Sequence, residues 1–138
     1  MSILEHWKTC PGFYREQCGL HSSLVVEHPR SFEVIRTTVF KFDKIDELFF
    51  LVGVKIGERI VFLVKYCGGE TRYSVELKLS GVGNSITYQL DAVPLSTDPG
   101  SALREGNALE VHPSIFQKIT RKPEGGFKLG VRIKVTKL

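Results

Sequence analysis

Long hydrophobic runs are missing from this chain of 138 residues. The longest, Leu48-Phe49-Phe50-Leu51-Val52-Gly53-Val54, falls far short of the ~20 residues that a membrane-spanning helix needs, so no membrane partner is expected. Cysteine is scarce and odd in number: Cys10, Cys18 and Cys67 lack the spacing of a disulfide framework. Reduced thiols in the cytoplasm, or else the nucleus, are the simplest reading. The first residues, MSILEHWKTCPG, show no basic stretch followed by a continuous apolar segment, and no secretory signal is expected. Internal repeats and low-complexity linkers are also missing, and the length suits one domain with a real core. The formal charge of +4 is mildly basic; it permits an anionic partner without requiring one.

What is present is alternation. In Tyr73-Ser74-Val75-Glu76-Leu77-Lys78-Leu79 and in Ile86-Thr87-Tyr88-Gln89-Leu90-Asp91-Ala92, apolar and polar residues take turns, which is the period of a half-buried strand. The turn-rich Ser80–Ser85 between them makes the pair a hairpin with a loop longer than two residues. Phe127, Leu129, Val131, Ile133 and Val135 alternate with Lys128, Arg132 and Lys134 in a closing strand.

The runs 48–55 and 60–66 are apolar on both parities, as in central strands buried on both faces. A polar turn, Ile56-Gly57-Glu58-Arg59, joins them. Cys67-Gly68-Gly69-Glu70 reads as a tight hairpin connection into the strand at 73. Further strands are expected at 22–27, which Pro29 ends or confines to an edge, at 32–42 and at 108–111. Pro94 to Ser101 reads as loop. His112-Pro113-Ser114 reads as the start of a short helix near 113–119, with Ile115, Phe116 and Ile119 facing the core. The expected fold is therefore all-β, an eight-stranded antiparallel β-sandwich with one short helix. Residues 1–18 form an irregular lead-in and residues 19–138 the sandwich.

The order of these elements resembles the seven-in-absentia family. RYSVELKLSGVGNSITYQLDAVPLS is similar to that family's Tyr-x-Leu-Glu-Leu strand and the strand after it. NALEVHPSIFQKI followed by GGFKLGVRIKV is similar to its strand, short helix and closing strand, with ELFFLVGVK and RIVFLVKY in the expected order upstream. The likeness spans residues 19–137. It implies a TRAF-like sandwich, in that family the substrate-binding domain of RING-type ubiquitin ligases, commonly dimeric, which captures extended peptides by strand addition.

Carried onto this chain, the resemblance implies a peptide edge at Leu24, Val26, Arg36, Thr38 and Phe40, with Thr38 standing where the family's groove carries a large aromatic. A RING needs more metal-binding Cys and His than three cysteines and four histidines supply. The expected function is thus a non-catalytic protein-interaction module, an adaptor or regulator in ubiquitin-ligase pathways, pairing with itself or with related TRAF-like domains. The alternatives are the substrate-binding part of a RING-type E3 ligase and, third, a basic β-sandwich that binds nucleic acid.

Other constellations carry less. Cys10, Cys18, His21 and His28 lack the close Cys pair of a zinc knuckle, and the lead-in is at most a degenerate finger; no metal and no cofactor is expected. Cys67 has no histidine near it in sequence to act as its base. The basic residues Lys118, Arg121, Lys122, Lys128, Arg132, Lys134 and Lys137 lack outward aromatics on which bases would stack.

Overall fold

A computed structural model describes residues 14–17, 21–28, 36–42, 45–121 and 127–138. Ten strands and two helices follow one another among them: β1 (Tyr14–Gln17), β2 (His21–His28), β3 (Arg36–Phe42), β4 (Ile45–Ile56), β5 (Arg59–Tyr66), β6 (Tyr73–Ser80), β7 (Ser85–Asp91), β8 (Val93–Pro94), α1 (Pro99–Arg104), β9 (Leu109–Val111), α2 (Pro113–Thr120) and β10 (Phe127–Lys137). No helix among them is long and apolar enough to cross a membrane. Sheet A has the order β1-β3-β4-β5-β8, with β9 also paired to β5, and sheet B the order β2-β10-β6-β7.

All eight expected strands are present, and β1 and β8 are additional. Both additions pair in parallel, β1 with β3 and β8 with β5, so the sandwich is not purely antiparallel. Residues 14–17 lie in the segment expected to be irregular; they form a strand because β3 leaves a row of backbone groups open beside them.

The two sheets differ in the way their sequences foretold. On β4 and β5 both parities are buried: Phe49, Leu51, Phe62, Val64 and Tyr66 face sheet B, while Leu48, Phe50, Val61 and Leu63 are buried on the far side. On β6 and β10 one parity is buried, with Tyr73, Val75, Leu77, Leu79, Leu129, Val131, Ile133 and Val135 in the main core; on the other, Glu76, Lys78, Arg132 and Lys134 are exposed and Ser74 is the buried exception, accepting from Gln89 Nε2 at 2.9 Å. Edge-to-face rings tie the sheets together, Tyr73 of β6 meeting Phe49 at 5.0 Å and Tyr66 at 5.5 Å, while Phe49 also meets Phe42 within sheet A at 5.7 Å. Each such ring pair adds about 0.5–1.5 kcal/mol beyond its burial.

Turn chemistry accounts for the connections. Gly57, at φ 60°, opens the two-residue turn between Ile56 and Arg59, the place where a type II′ hairpin wants glycine. Gly68 and Gly69 also have positive φ, but the expected hairpin there is not formed: β5 belongs to sheet A and β6 to sheet B, so this glycine pair carries the chain across the sandwich. The stretch expected as loop from Pro94 to Ser101 ends in helix instead. Asp98 caps α1, its carboxylate accepting from Ser101 N–H at 2.9 Å, and Pro99 occupies the first turn, where a missing N–H costs nothing. Ala102 of α1 packs with Val61, Leu63 and Val93 on the far side of sheet A.

Helix α2 begins as expected, with a sharper cap: Ser114 N–H donates to His112 Nδ1 at 3.2 Å. Phe116 and Ile119 face the core, but Ile115 is exposed, and Thr120 takes the third buried position. Thr120 can do so because its hydroxyl donates to the Phe116 carbonyl at 2.7 Å. The other end of α2 is closed by the β6–β7 loop, where Val82 N–H donates to the Ile119 carbonyl at 2.7 Å. Gly81 makes that approach possible, since a Cβ there would fall 1.9 Å from the same carbonyl oxygen.

Candidate functional site

Chemistry-bearing side chains do not converge among the described residues, where no group of three or more His, Cys, Asp or Glu is gathered. His21 and His28 sit at opposite ends of β2, in register with Lys134 and Phe127. At ~3.3 Å per residue their backbones are ~23 Å apart, too far for both to hold one ion. Cys10 and Cys18 lie outside the described residues. Cys67 stands on the crossing between sheets, its N–H directed at Glu47 Oε1 at 3.4 Å. Partial burial, then the Glu47 charge and a hydrogen bond to that carboxylate raise the thiol's pKa. That is the opposite of what a nucleophilic cysteine needs.

What the fold leaves open is backbone. Ala92 N–H donates to the Tyr73 carbonyl at 3.0 Å and Gly81 N–H to the Asn84 carbonyl at 3.2 Å. These two pairs bracket the uninterrupted register from Ser74↔Asp91 to Ser80↔Ser85. Bonded pairs alternate along an antiparallel ladder. Ile86, Tyr88 and Leu90 therefore turn their N–H and C=O to β6, while Ser85, Thr87, Gln89 and Asp91 turn theirs away from it. β7 is the last strand of sheet B. Asp91 N–H meets Asn107 Oδ1 at 3.3 Å; the outward groups of Ser85, Thr87 and Gln89 have no partner among the described residues.

The opposite edge follows from the same alternation. Leu138 N–H donates to the Arg72 carbonyl at 2.9 Å, which continues the β10–β6 register at Lys137↔Tyr73. Leu129, Val131 and Ile133 are then the residues of β10 that bond to β2, through Val26, Leu24 and Ser22. The outward backbone groups of β2 belong to Ser23, Val25 and Glu27. As Pro29 requires, β2 ends at His28 and lies at an edge.

The five residues implied by resemblance are divided between the sheets. Leu24 and Val26 are on β2, in register with Val131 and Leu129, two buried residues, and their backbone groups are spent on β10. Arg36, Thr38 and Phe40 are on β3 of sheet A, in register with Gly53, Leu51 and Phe49. Phe40 is 1% exposed within the main core, and β1 pairs alongside it at Arg15. Phe40 thus lines no surface groove: replacing it would read out stability. Sequence reasoning did not single out Ser85, Thr87 and Gln89. The available signal was the run of three uncharged residues on the outward parity of that strand, with charge only at its end, Asp91.

The class that this geometry defines is an all-β protein of two facing sheets, one of which, among the described residues, has no strand paired beyond β2 or β7. No family model matches the chain, and no curated protein matches it significantly.

Proposed function

We propose that this protein is a non-catalytic interaction module whose sheet B takes an extended segment of a partner protein by strand addition. One observation carries the reading. Both edges of sheet B present outward N–H and C=O groups at every second residue, Ser23, Val25 and Glu27 on β2 and Ser85, Thr87 and Gln89 on β7. A strand laid along such an edge gains main-chain hydrogen bonds, while its alternate side chains supply selectivity.

The finer reading is a TRAF-like sandwich serving as an adaptor or regulator in ubiquitin-ligase pathways. Its support is the order of elements around β6, β7, α2 and β10 and the motifs Tyr73-Ser-Val-Glu-Leu77 and Asn107–Ile119.

Two prolines test the proposal. Val25→Pro and Thr87→Pro each delete one outward N–H and leave the inward ladder intact, the one setting in which a strand tolerates proline. Affinity capture of partner proteins should be lost with one of them while far-UV circular dichroism stays unchanged. Capture unaffected by both would contradict strand addition.

A further inference from the structure

We propose that the β7 edge selects an acidic partner segment: the added strand carries an aspartate or glutamate, set between two apolar residues, at the position paired with Thr87. The proposal rests on reading the edges of sheet B as places of strand addition, and it names the chemistry that one edge takes.

On the outer side of sheet B the side chains stand in rows across the strands, and each row has its own charge. Thr87 is in register with Lys78 of β6, and Lys78 with Arg132 of β10. Gln89 is in register with Glu76, and Glu76 with Lys134. Asp91 is in register with Ser74, and Ser74 with Thr136. All of these but Ser74 are exposed. The field along the edge therefore runs from two positive charges behind Thr87, through a balanced pair behind Gln89, to the negative charge of Asp91.

The first row points outward to a ligand. Like charges directly opposite one another on antiparallel strands destabilise the pairing, and Lys78 with Arg132 is such a pair. Among the described residues no carboxylate lies within ion-pair distance of Lys78. A carboxylate on the next strand out would supply one. Thr87 and Lys78 are a non-hydrogen-bonded pair, ~4.5 Å apart at Cα, and a residue added opposite Thr87 forms a bonded pair at ~5.5 Å. That puts its backbone ~10 Å from Lys78, a gap that a glutamate and a lysine stem close over the small threonine between them. Gln89 does not compete, because its amide donates to Ser74 Oγ at 2.9 Å.

The core side sets the neighbours of the acidic residue. Ile86 and Tyr88 are half-buried and packed against the main core. The Tyr88 hydroxyl donates to the Gly106 carbonyl at 3.3 Å, so what the ring leaves uncovered is apolar. Antiparallel pairing is the stronger per residue. In it, the residues flanking the acidic one stand beside Ile86 and Tyr88, where β-branched or aromatic side chains pair best. The residue four before the acidic one comes to Asp91, which repels a carboxylate and attracts a lysine or arginine. The partner segment thus reads basic-x-x-apolar-acidic-apolar, and its two charges fix direction as well as register.

Two peptides of one composition test it. The first has glutamate between two valines, lysine four residues before the glutamate, and threonine elsewhere; in the second the lysine and the glutamate are exchanged. Titrated into the isotope-labelled chain at low salt, the first should shift the amide signals of Ser85, Thr87 and Gln89. It should bind about three- to tenfold more tightly than the second, the return of one or two exposed ion pairs. Lys78→Glu should reverse the preference, and it sets a carboxylate opposite Arg132 without disturbing the core. Equal affinity for the two peptides, binding of neither, or a preference that Lys78→Glu leaves unchanged would each overturn acidic selection. Strand addition would outlive that result if Thr87→Pro or Val25→Pro still abolished partner capture, and would fall with it if neither did.

Discussion

The far side of sheet A and the outer side of sheet B are two solvent-ward faces of one sandwich, built to opposite rules. Val61 and Leu63, both 0% exposed, lie under Ala102 of α1 on the far side of sheet A. Glu76 and Lys78 stand in water on sheet B. Sheet A hides both faces and keeps only short strands at its borders, so its sequence is committed to stability. Sheet B hides one face, and among the described residues no further strand pairs with β2 or β7 on their outer sides, so its spare capacity is backbone hydrogen bonding. The proposed strand addition rests on that division.

The contrast breaks most sharply by substitution on the two outer faces. Leu63→Ala should destabilise by about 2–5 kcal/mol in denaturant unfolding, as a buried leucine does when it leaves a cavity. Lys78→Ala, at an exposed position of the other sheet, should change stability by less than about 0.5 kcal/mol. Equal effects would mean that the two faces are not built differently.

A smaller effect is expected where sheet B is tied to α2. Gly81→Ala puts a Cβ against the Ile119 carbonyl, so the loop must move and the 2.7 Å bond from Val82 N–H is lost. The expected cost is about 1–3 kcal/mol, measured by the same unfolding curve. His112→Ala removes the imidazole that caps α2 and should cost about 1 kcal/mol, with His112→Asn recovering most of it. Both leave the far side of sheet A untouched, which a hydrogen-exchange map would show as unchanged protection of Val61 and Leu63.

The smallest effect is chemical. Since burial and Glu47 raise the Cys67 pKa, less thiolate exists at a given neutral or mildly alkaline pH than for a free cysteine. Alkylation of Cys67 should accordingly be slower than that of a model thiol, and Glu47→Gln should speed it. A faster reaction in the unaltered chain would reverse the sign of the electrostatic argument.

Much of the fold was legible because its signals are side-chain signals. Alternation in β6, β7 and β10 marked a sheet wet on one side, and the double-parity runs of β4 and β5 marked strands covered on both. Destinations were not legible: Gly68 and Gly69 announce a turn, but nothing in a turn's composition says whether the next strand pairs with the last or joins another sheet. α1 was hidden because its 6 residues begin on Pro99, shortly after Pro94, and are too few for a helical period. Ile115 was misjudged because adjacent Ile115 and Phe116 compete for one helix face, and the ring prevailed.

The candidate site was least legible of all. The resemblance puts Leu24, Val26, Arg36, Thr38 and Phe40 along one peptide edge, yet β2 and β3 belong to different sheets and Phe40 is core. An edge is a property of strand order and of backbone groups that every residue possesses. Only the uncharged outward parity of Ser85, Thr87 and Gln89 hinted at it.

The central claim, that β7 is an open edge whose backbone waits for a strand, is tested most directly by residue-resolved amide exchange on a dilute sample. The account predicts alternation within one strand: slow exchange at Ile86, Tyr88 and Leu90, which bond to β6, and fast exchange at Ser85, Thr87 and Gln89. Protection of all six amides at every dilution would show the edge already covered within the single chain and would contradict the account.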